Sequence, residues 1–516
     1  MDDKVELIRA KIGTLLTLPL SPGTHLDLKI GENIGGFTRE IIGIAHVSSL
    51  SELRGILKIA QENSFSVSPY STGNNWGYGS HLPVRNHCLL LDFSPMNQIL
   101  EIDEQQGTAI IQPGVTQGNL AIELKRRNSQ FYVDVTGSGM DTSLIGNCLE
   151  RGIAYQEQRV TQVLGLDIVL SDGTLLKSGF GDYPNSKLNN CYPYGLGPSV
   201  DGLFFQSNLG IIIQARIALQ RRPEKAMVVS LPLESKKLGQ LIDRLKELKR
   251  IGCIQGIPHI GNRERTISTL EAIIKNESPN LSNIEILHVI NKTLKSDWIA
   301  TFFIAGPLKV AESQLQETRV QLRDLGSLFV HQLEVKTWRD KTYQLFLNLI
   351  MSREQKIIFK AAASLRGLNL GESSNAGIEF LRKNQKVDQS PVGFLLCTPL
   401  APLRGENGDY FNEMFIRFRN KYNLFMAMTL NIISNRVLEA VISIHFNKND
   451  SVESDRALIA VRQMSQQFSA DGFYPYRINI DQMDDFLELN LPIHDFQRNL
   501  KKLLDPNSII SPGRYT

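Results

Sequence analysis

Between Ser71 and Gly79 the chain reads Ser-Thr-Gly-Asn-Asn-Trp-Gly-Tyr-Gly, directly after Phe65 to Tyr70, which alternates like a strand. Glycines at 73, 77 and 79 strip side chains from this turn. Backbone N–H groups can then face one concavity and approach a phosphate closely. Ser71, Thr72, Asn74 and Asn75 add short polar donors. The next pattern is another strand, Leu89 to Phe93, not a helix. That order excludes a GxxxxGK[ST] phosphate loop and a strand–GxGxxG–helix dinucleotide unit. Taken alone, the loop is either a phosphate cradle or an irregular structural turn.

At 516 residues the chain exceeds one compact core, so two or three domains are expected. Ser49 to Gln61 has apolar residues at helical spacing behind a serine suited to capping. After the glycine loop, Leu89 to Phe93 and Ile99 to Ile102 read as a hairpin, and Ala109 to Gln112 as a further strand. Val115 to Lys125 reads as a helix, followed by a second glycine-bearing loop, Thr136 to Asn147. Val163 to Leu170 and Thr174 to Lys177 flank the tight turn Ser171-Asp172-Gly173. Gly202 to Asn208 reads as a short helix and Gly210 to Leu219 as an apolar strand. After Arg221-Arg222-Pro223-Glu224, long amphipathic helices alternate with isolated strands such as Trp298 to Ile304, Gly393 to Thr398, Met426 to Ile432 and Leu438 to Phe446. This texture predicts an α+β layer with helices on one face and a boundary near Pro223. The stretch from Tyr474 to Thr516 has no room for its own domain and is expected to pack back onto another.

Charge and cysteine usage narrow the classes. Fifty-six basic against fifty-three acidic residues leave a formal charge of +3, which makes no case for nucleic acid or membrane as a partner. The basic run Lys236 to Arg250 carries leucines at helical spacing and reads as a solvated helix face. Cys88, Cys148, Cys191, Cys253 and Cys397 have no CxxC spacing and an odd count, so reduced, mostly buried thiols are expected. The N-terminal segment Met1 to Leu20 lacks the basic start of a signal peptide, and no apolar stretch is long enough to span a bilayer. The expected location is cytoplasmic.

Four segments together resemble the vanillyl-alcohol oxidase and p-cresol methylhydroxylase flavoprotein family. SPYSTGNNWGYGS (68–80) is similar to its pyrophosphate loop, and IGNCLERGIAY (145–155) to its Gly-Asn-x-x-x-(Glu/Asp)-Arg-Gly-x-x-Tyr segment. YPYGLGPSVDGLFFQSNLGIII (192–213) and LLDPNSIISPGRY (503–515) are similar to two further family motifs. The resemblance implies an α+β fold: a two-part FAD-binding domain, residues 1–222 and 471–516, and an α+β cap of antiparallel sheet and helices, residues 223–470. It implies FAD as cofactor. Contacts would come from Pro69, Ser71, Thr72, Gly73, Asn74, Asn75 and Tyr78 in the first loop, from Ser143, Asn147 and Gly152 around the second segment, and from Gly210, Ile212 and Arg514.

The same resemblance implies a substrate site. Tyr78 and the pair Tyr476-Arg477 stand where the family's phenol-oxidising members bind substrate as the phenolate, and Tyr155 matches another tyrosine of that site. Two hydroxyl donors and a guanidinium favour the charged oxygen. Two departures qualify the picture. Where the family often carries an acid near the flavin N5 atom, this chain has Gly137 or Ser138, with Asp141 the only acid nearby. Phe394 stands at the position that can carry a flavin-linking histidine, and Asn75 at the corresponding first-loop position of related families; His81 lies just beyond. Non-covalent FAD is therefore expected. The leading expectation is an FAD-dependent oxidoreductase acting on a para-substituted phenol or related aromatic. A hydroxy acid, sugar or larger biosynthetic intermediate is the alternative substrate, and a non-catalytic flavin-binding protein the third reading. Oxygen or a redox protein would accept the electrons, and a homodimer is left open.

Overall fold

The computed structural model describes residues 32–333, 351–383 and 385–516. The segment Met1 to Leu20, read above for a leader, lies outside the described residues. Strand Ser66–Tyr70, which feeds the glycine loop, is one edge of a three-stranded parallel sheet. Its neighbour Cys88–Asp92 is buried throughout and is flanked on the far side by Ile41–His46. Helix Leu50–Asn63 connects the outer strands. The Ser49 side chain caps it by accepting from the Glu52 N–H, and Leu53, Ile56, Leu57 and Ala60 seal it to the sheet.

A five-stranded antiparallel sheet follows, in the order Ile99–Asp103, Thr108–Ile111, Ile211–Ala218, Val163–Val169 and Leu175–Lys177. The expected hairpin between Leu89–Phe93 and Ile99–Ile102 does not form. Both edges of Cys88–Asp92 are already taken, so Ile99–Asp103 pairs with Thr108–Ile111 instead. Gly202 to Asn208 likewise shrinks to a single 3₁₀ turn, Asp201–Phe204.

The C-terminal tail runs beside the strand that feeds the loop. The Val67 N–H donates to the Ile509 carbonyl at 2.7 Å, and the Ser511 N–H to the Val67 carbonyl at 2.8 Å. Buried Lys501, in helix Pro492–Leu504, fixes this arrangement. Its ammonium donates to the Asn208 and Ile510 carbonyls and to the Asp505 carboxylate, at 2.6, 2.8 and 2.6 Å.

Residues between Lys225 and Asn447 build an eight-stranded antiparallel sheet. Its main path runs Phe329–Gln332, Lys225–Leu233, Trp298–Gly306, Gln255–Asn262, Phe425–Ile432, Val437–Asn447 and Val392–Cys397, and Leu400–Pro402 pairs with Val437–Asn447. Helices Leu238–Arg250, Leu308–Leu322, Gly405–Tyr422 and Ser451–Ala470 bury one face in the largest apolar core. The expectation of helices on one face alone is corrected by Arg263–Glu277. Asn262 caps this helix by accepting from the Arg265 N–H at 2.9 Å, and the chain turns directly from strand into helix on the opposite face. Gln255–Asn262 is central although it carries Gly256, Pro258 and Gly261. A register shift between Gln255 and His259 absorbs the proline's missing donor. Four cysteines are buried and Cys191 is exposed, all as free thiols.

Candidate functional site

A cavity of about 440 Å³ lies where the first loop, the second loop and the tail meet the cap sheet's second face. Gly73, Gly77 and Gly79 all have positive φ, at +72°, +79° and +125°. Close packing also requires the last two to be bare. A Cβ on Gly77 would sit 3.0 Å from Leu396, and one on Gly79 2.7 Å from Ile480. The glycines thus let the cap and the tail press onto the loop, a role its sequence alone did not reveal.

The second loop is held by a side chain that carries no motif. Gln117 accepts from the Thr136 N–H at 2.9 Å and donates to the Thr136 and Gly139 carbonyls at 3.1 and 2.6 Å. Fully buried Arg159 donates to the same amide oxygen at 3.1 Å. The Ser143 N–H donates to the Thr72 hydroxyl at 3.2 Å and ties the two loops together.

Nearly all residues expected at the cofactor reach the cavity wall. Pro69, Ser71, Thr72, Gly73, Asn74, Asn75 and Tyr78 form one side, and Ser143, Asn147, Gly210, Ile212 and Arg514 contribute to the others. Gly152 does not line the wall. Its Cβ would lie 2.2 Å from Asn147 Oδ1, so it supports Asn147 from behind. The chemistry of the wall fits FAD. Asn147 Oδ1 is buried without a partner, and short polar side chains line the loop. Gly137 presents a bare backbone whose Cβ would meet only the Tyr155 hydroxyl, at 3.8 Å.

Tyr78, Tyr155, Tyr476 and Arg477 all line the same cavity. The Arg477 guanidinium carbon sits 4.2 Å from the Tyr78 ring centroid. Its Nη2 donates to Asn75 Oδ1, and its Nε lies 3.6 Å from the Glu150 carboxylate. Glu150 in turn pairs with Arg514. The Tyr78 hydroxyl is 3.3 Å from Thr398 Oγ1, and Gln206 donates to the Tyr476 carbonyl at 2.7 Å. Burial pushes the Tyr78 hydroxyl up to about 12 despite the nearby Arg477, and burial also raises Tyr476 well above its ordinary value. Burial alone would lower Arg477, but Tyr476 and Glu150 outweigh it and hold the guanidinium charged. The result is two protonated hydroxyls and one cation.

The second loop brings no carboxylate to the wall. Asp141 is exposed, and Ser138 Oγ is tied to the hydroxyls of Thr136 and Thr142, the latter at 2.8 Å. Phe394 and His81 both line the cavity. Behind the tyrosines lies a buried chain absent from the sequence reading. Glu439, 1% exposed, accepts from Asn431 at 2.8 Å, and Asn431 Oδ1 is 2.7 Å from His259 Nδ1. Burial raises the Glu439 carboxyl to about 7, and its second oxygen has no partner. His259, lowered to about 4 by burial, packs against Tyr155 with ring centroids 4.8 Å apart and planes tilted by 52°. The alternation of Val437–Asn447 could have placed Glu439 opposite Leu438 and Ala440. Nothing in the sequence said which face meets the cavity.

The family model for an FAD binding domain matches residues 41–179. Over 505 residues, 93% of this chain and 91% of the relative, the chain is 25% identical to the 1'-carboxy-chondrochloren decarboxylase of Chondromyces crocatus. It is 24% identical to the 4-cresol dehydrogenase [hydroxylating] flavoprotein subunit of Pseudomonas putida, covering 90% of this chain and 86% of that one. Among solved structures, p-cresol methylhydroxylase with substrate bound shares the fold at a TM-score of 0.81 and 20% identity, covering 100% of this chain and 96% of that one. The isoeugenol complex of 4-ethylphenol oxidase from Gulosibacter chungangensis also shares it, at a TM-score of 0.81, 19% identity and the same coverage.

Proposed function

We propose that this chain, an FAD-dependent oxidoreductase of the flavoprotein family of vanillyl-alcohol oxidase and p-cresol methylhydroxylase, oxidises a 4-substituted phenol held as the phenolate by Tyr78, Tyr476 and Arg477. The observation that carries this reading is the Arg477 guanidinium on the Tyr78 ring, beside Tyr476, in a cavity wall. A free phenol ionises near 10, and a fixed cation with two hydroxyl donors pulls that value down. Both tyrosines stay protonated at neutral pH because burial raises them, so both can donate to the phenolate oxygen. When bound, FAD supplies the oxidant that accepts a hydride at N5. Loss of hydride from the benzylic carbon of the substituent para to the phenolate oxygen leaves a quinone methide. Because Gly137 and Ser138 bring no carboxylate to this end of the cavity, water capture would proceed without the acid that family members often carry there.

The similarity to a decarboxylase over nearly the whole chain favours a second fate for the same intermediate. If the substrate carries a carboxylate one carbon beyond the oxidised one, the C–CO2 bond can break. Its electron pair forms an alkene and returns the ring to phenolate, and CO2 leaves. In this reading residues 1–222 and 471–516 hold non-covalent FAD, residues 223–470 cover it, and oxygen or a redox protein takes the electrons onward.

The test is anaerobic mixing of FAD-loaded protein with 4-ethylphenol. The visible flavin band should bleach, and Tyr476→Phe and Arg477→Ala should slow bleaching by roughly 10² to 10³, the usual cost of removing one charge-stabilising donor. Bleaching at the wild-type rate in both variants would refute phenolate binding. Release of one CO2 per flavin reduced, with a 3-(4-hydroxyphenyl)propanoate substrate, separates the decarboxylating fate from water capture.

A further inference from the structure

Beside the flavin-side cavity lies a larger chamber of about 960 Å³ inside the cap. The two share four wall residues, Tyr155, His259, Arg265 and Thr429, so they meet at that point. The chamber's walls are mostly apolar, with Val228, Leu270, Ile299, Val330, Ile358 and Phe359 among them. Its charged lining is one-sided: Lys237, Arg265, Lys295 and Arg366 against Glu234. Glu234 is engaged by Lys236 at 2.6 Å.

Arg265 is the unusual member. Two other cations of the chamber have partners: Lys237 donates to the carbonyls of Asp324 and Leu325, and Arg366 to the Phe359 carbonyl. Among the described residues the Arg265 guanidinium has no carboxylate and no hydrogen-bond acceptor. It rests over the Phe380 ring at 4.8 Å, and burial lowers its affinity for its proton, with Tyr155 opposing. Five N–H donors facing a cavity without an acceptor cost free energy unless a ligand satisfies them. A planar fork matches a carboxylate or a phosphate, and the similarity to a decarboxylase favours the carboxylate.

We propose that Arg265 is the carboxylate anchor for the substrate, and that the substrate's remaining apolar portion occupies the chamber beyond it. This inference rests on the phenolate reading for the aromatic end. It narrows the substrate to a phenol that also carries a carboxylate and an apolar extension. Hydrogen bonds to a charged group contribute enough to make such a ligand about tenfold tighter than its neutral counterpart.

The experiment is equilibrium binding to the FAD-loaded protein, read from the perturbation of the flavin spectrum. The probes are 4-propylphenol, 3-(4-hydroxyphenyl)propanoate, 3-(4-methoxyphenyl)propanoate, N-acetyl-tyrosine and N-octanoyl-tyrosine. Expected are about tenfold tighter binding of the hydroxyphenyl carboxylate than of 4-propylphenol, loss of that advantage in Arg265→Met, and partial recovery in Arg265→Lys. N-octanoyl-tyrosine should bind more tightly than N-acetyl-tyrosine, and Ile358→Trp, which fills the chamber, should erase that gain. A carboxylate without advantage in the wild type, or an advantage that survives Arg265→Met, overturns the anchor. Should the variant not fold, the wild-type comparison still decides. Equal binding of the methoxy and hydroxy carboxylates would refute the phenolate reading while leaving the anchor standing, so the two failures are distinct.

Discussion

A single buried carboxyl sets the electrostatics behind the tyrosines. Glu439 keeps its proton up to about 7 because burial penalises its charged form; the Asn431 hydrogen bond and the Arg477 charge oppose this only in part. In the unfolded chain the same carboxyl ionises near 4.5. Below that value both states hold the proton and no penalty exists. Between 4.5 and 7 the unfolded state releases it first, so stability falls as pH rises. Above 7 the folded state must carry a buried anion and the loss is complete. Glu439→Gln cannot ionise and keeps an acceptor for Asn431. It should therefore overtake the wild type with rising pH, by roughly 3 kcal/mol once both forms of the carboxyl have titrated. Denaturant unfolding of both proteins at pH 5 and pH 8 checks the sign. A difference that does not grow between the two would remove Glu439 as the titrating group. One acidic residue in the strand Val437–Asn447 gave no hint of this in the sequence, because its meaning depends on Tyr476 and Arg477 arriving from the tail.

Elements whose chemistry is local were legible. Helix Leu50–Asn63 declares its own cap at Ser49, and the glycine loop declares itself by positive-φ positions that resist other residues. Elements defined by distant partners were not. The central strand Gln255–Asn262 was not picked out, because what makes it a strand is Trp298–Gly306 and Phe425–Ile432 pairing with it on both sides. Gln117 looks like an ordinary helix N-terminal residue until the second loop folds onto its amide. The tail was expected to return, but what fixes it is a buried ion pair whose lysine, Lys501, lies outside the tail motif. Lys501→Ala would leave Asp505, fully buried, with only the Ile509 and Ile510 N–H donors. Removing one partner of a buried pair costs about 3 to 5 kcal/mol. Because the tail runs beside Val67, the damage should reach the first loop. Expected together are a lower unfolding midpoint and weaker FAD retention on gel filtration; a normal FAD content with lowered stability would uncouple the tail from the loop.

At the scale of the molecule, the cofactor cavity belongs to no single unit. The parallel sheet supplies the first loop, the five-stranded sheet supplies Ile212 with Gly210 just before it, the tail supplies Arg514, and the strand Val392–Cys397 supplies Phe394 and Leu396, with Thr398 directly after it. A ligand that bridges so many elements binds the folded state and not the unfolded chain. Its contribution then grows as RT ln(1 + [L]/Kd), about 2.7 kcal/mol at a hundredfold excess over Kd. This relation holds only while the ligand exchanges with solution. On the cap strand facing the cavity Phe394 offers no nucleophile, and on the loop side neither does Asn75, which lines the same wall. The FAD should therefore exchange, and the melting temperature should climb steadily with free FAD added above the protein concentration. A tethered flavin would be present in every molecule whatever the free concentration, and the melting temperature would not move. Scanning calorimetry across a hundredfold range of FAD distinguishes the two, and a flat response together with a yellow pellet after acid precipitation would place a covalent bond where Phe394 argues against one.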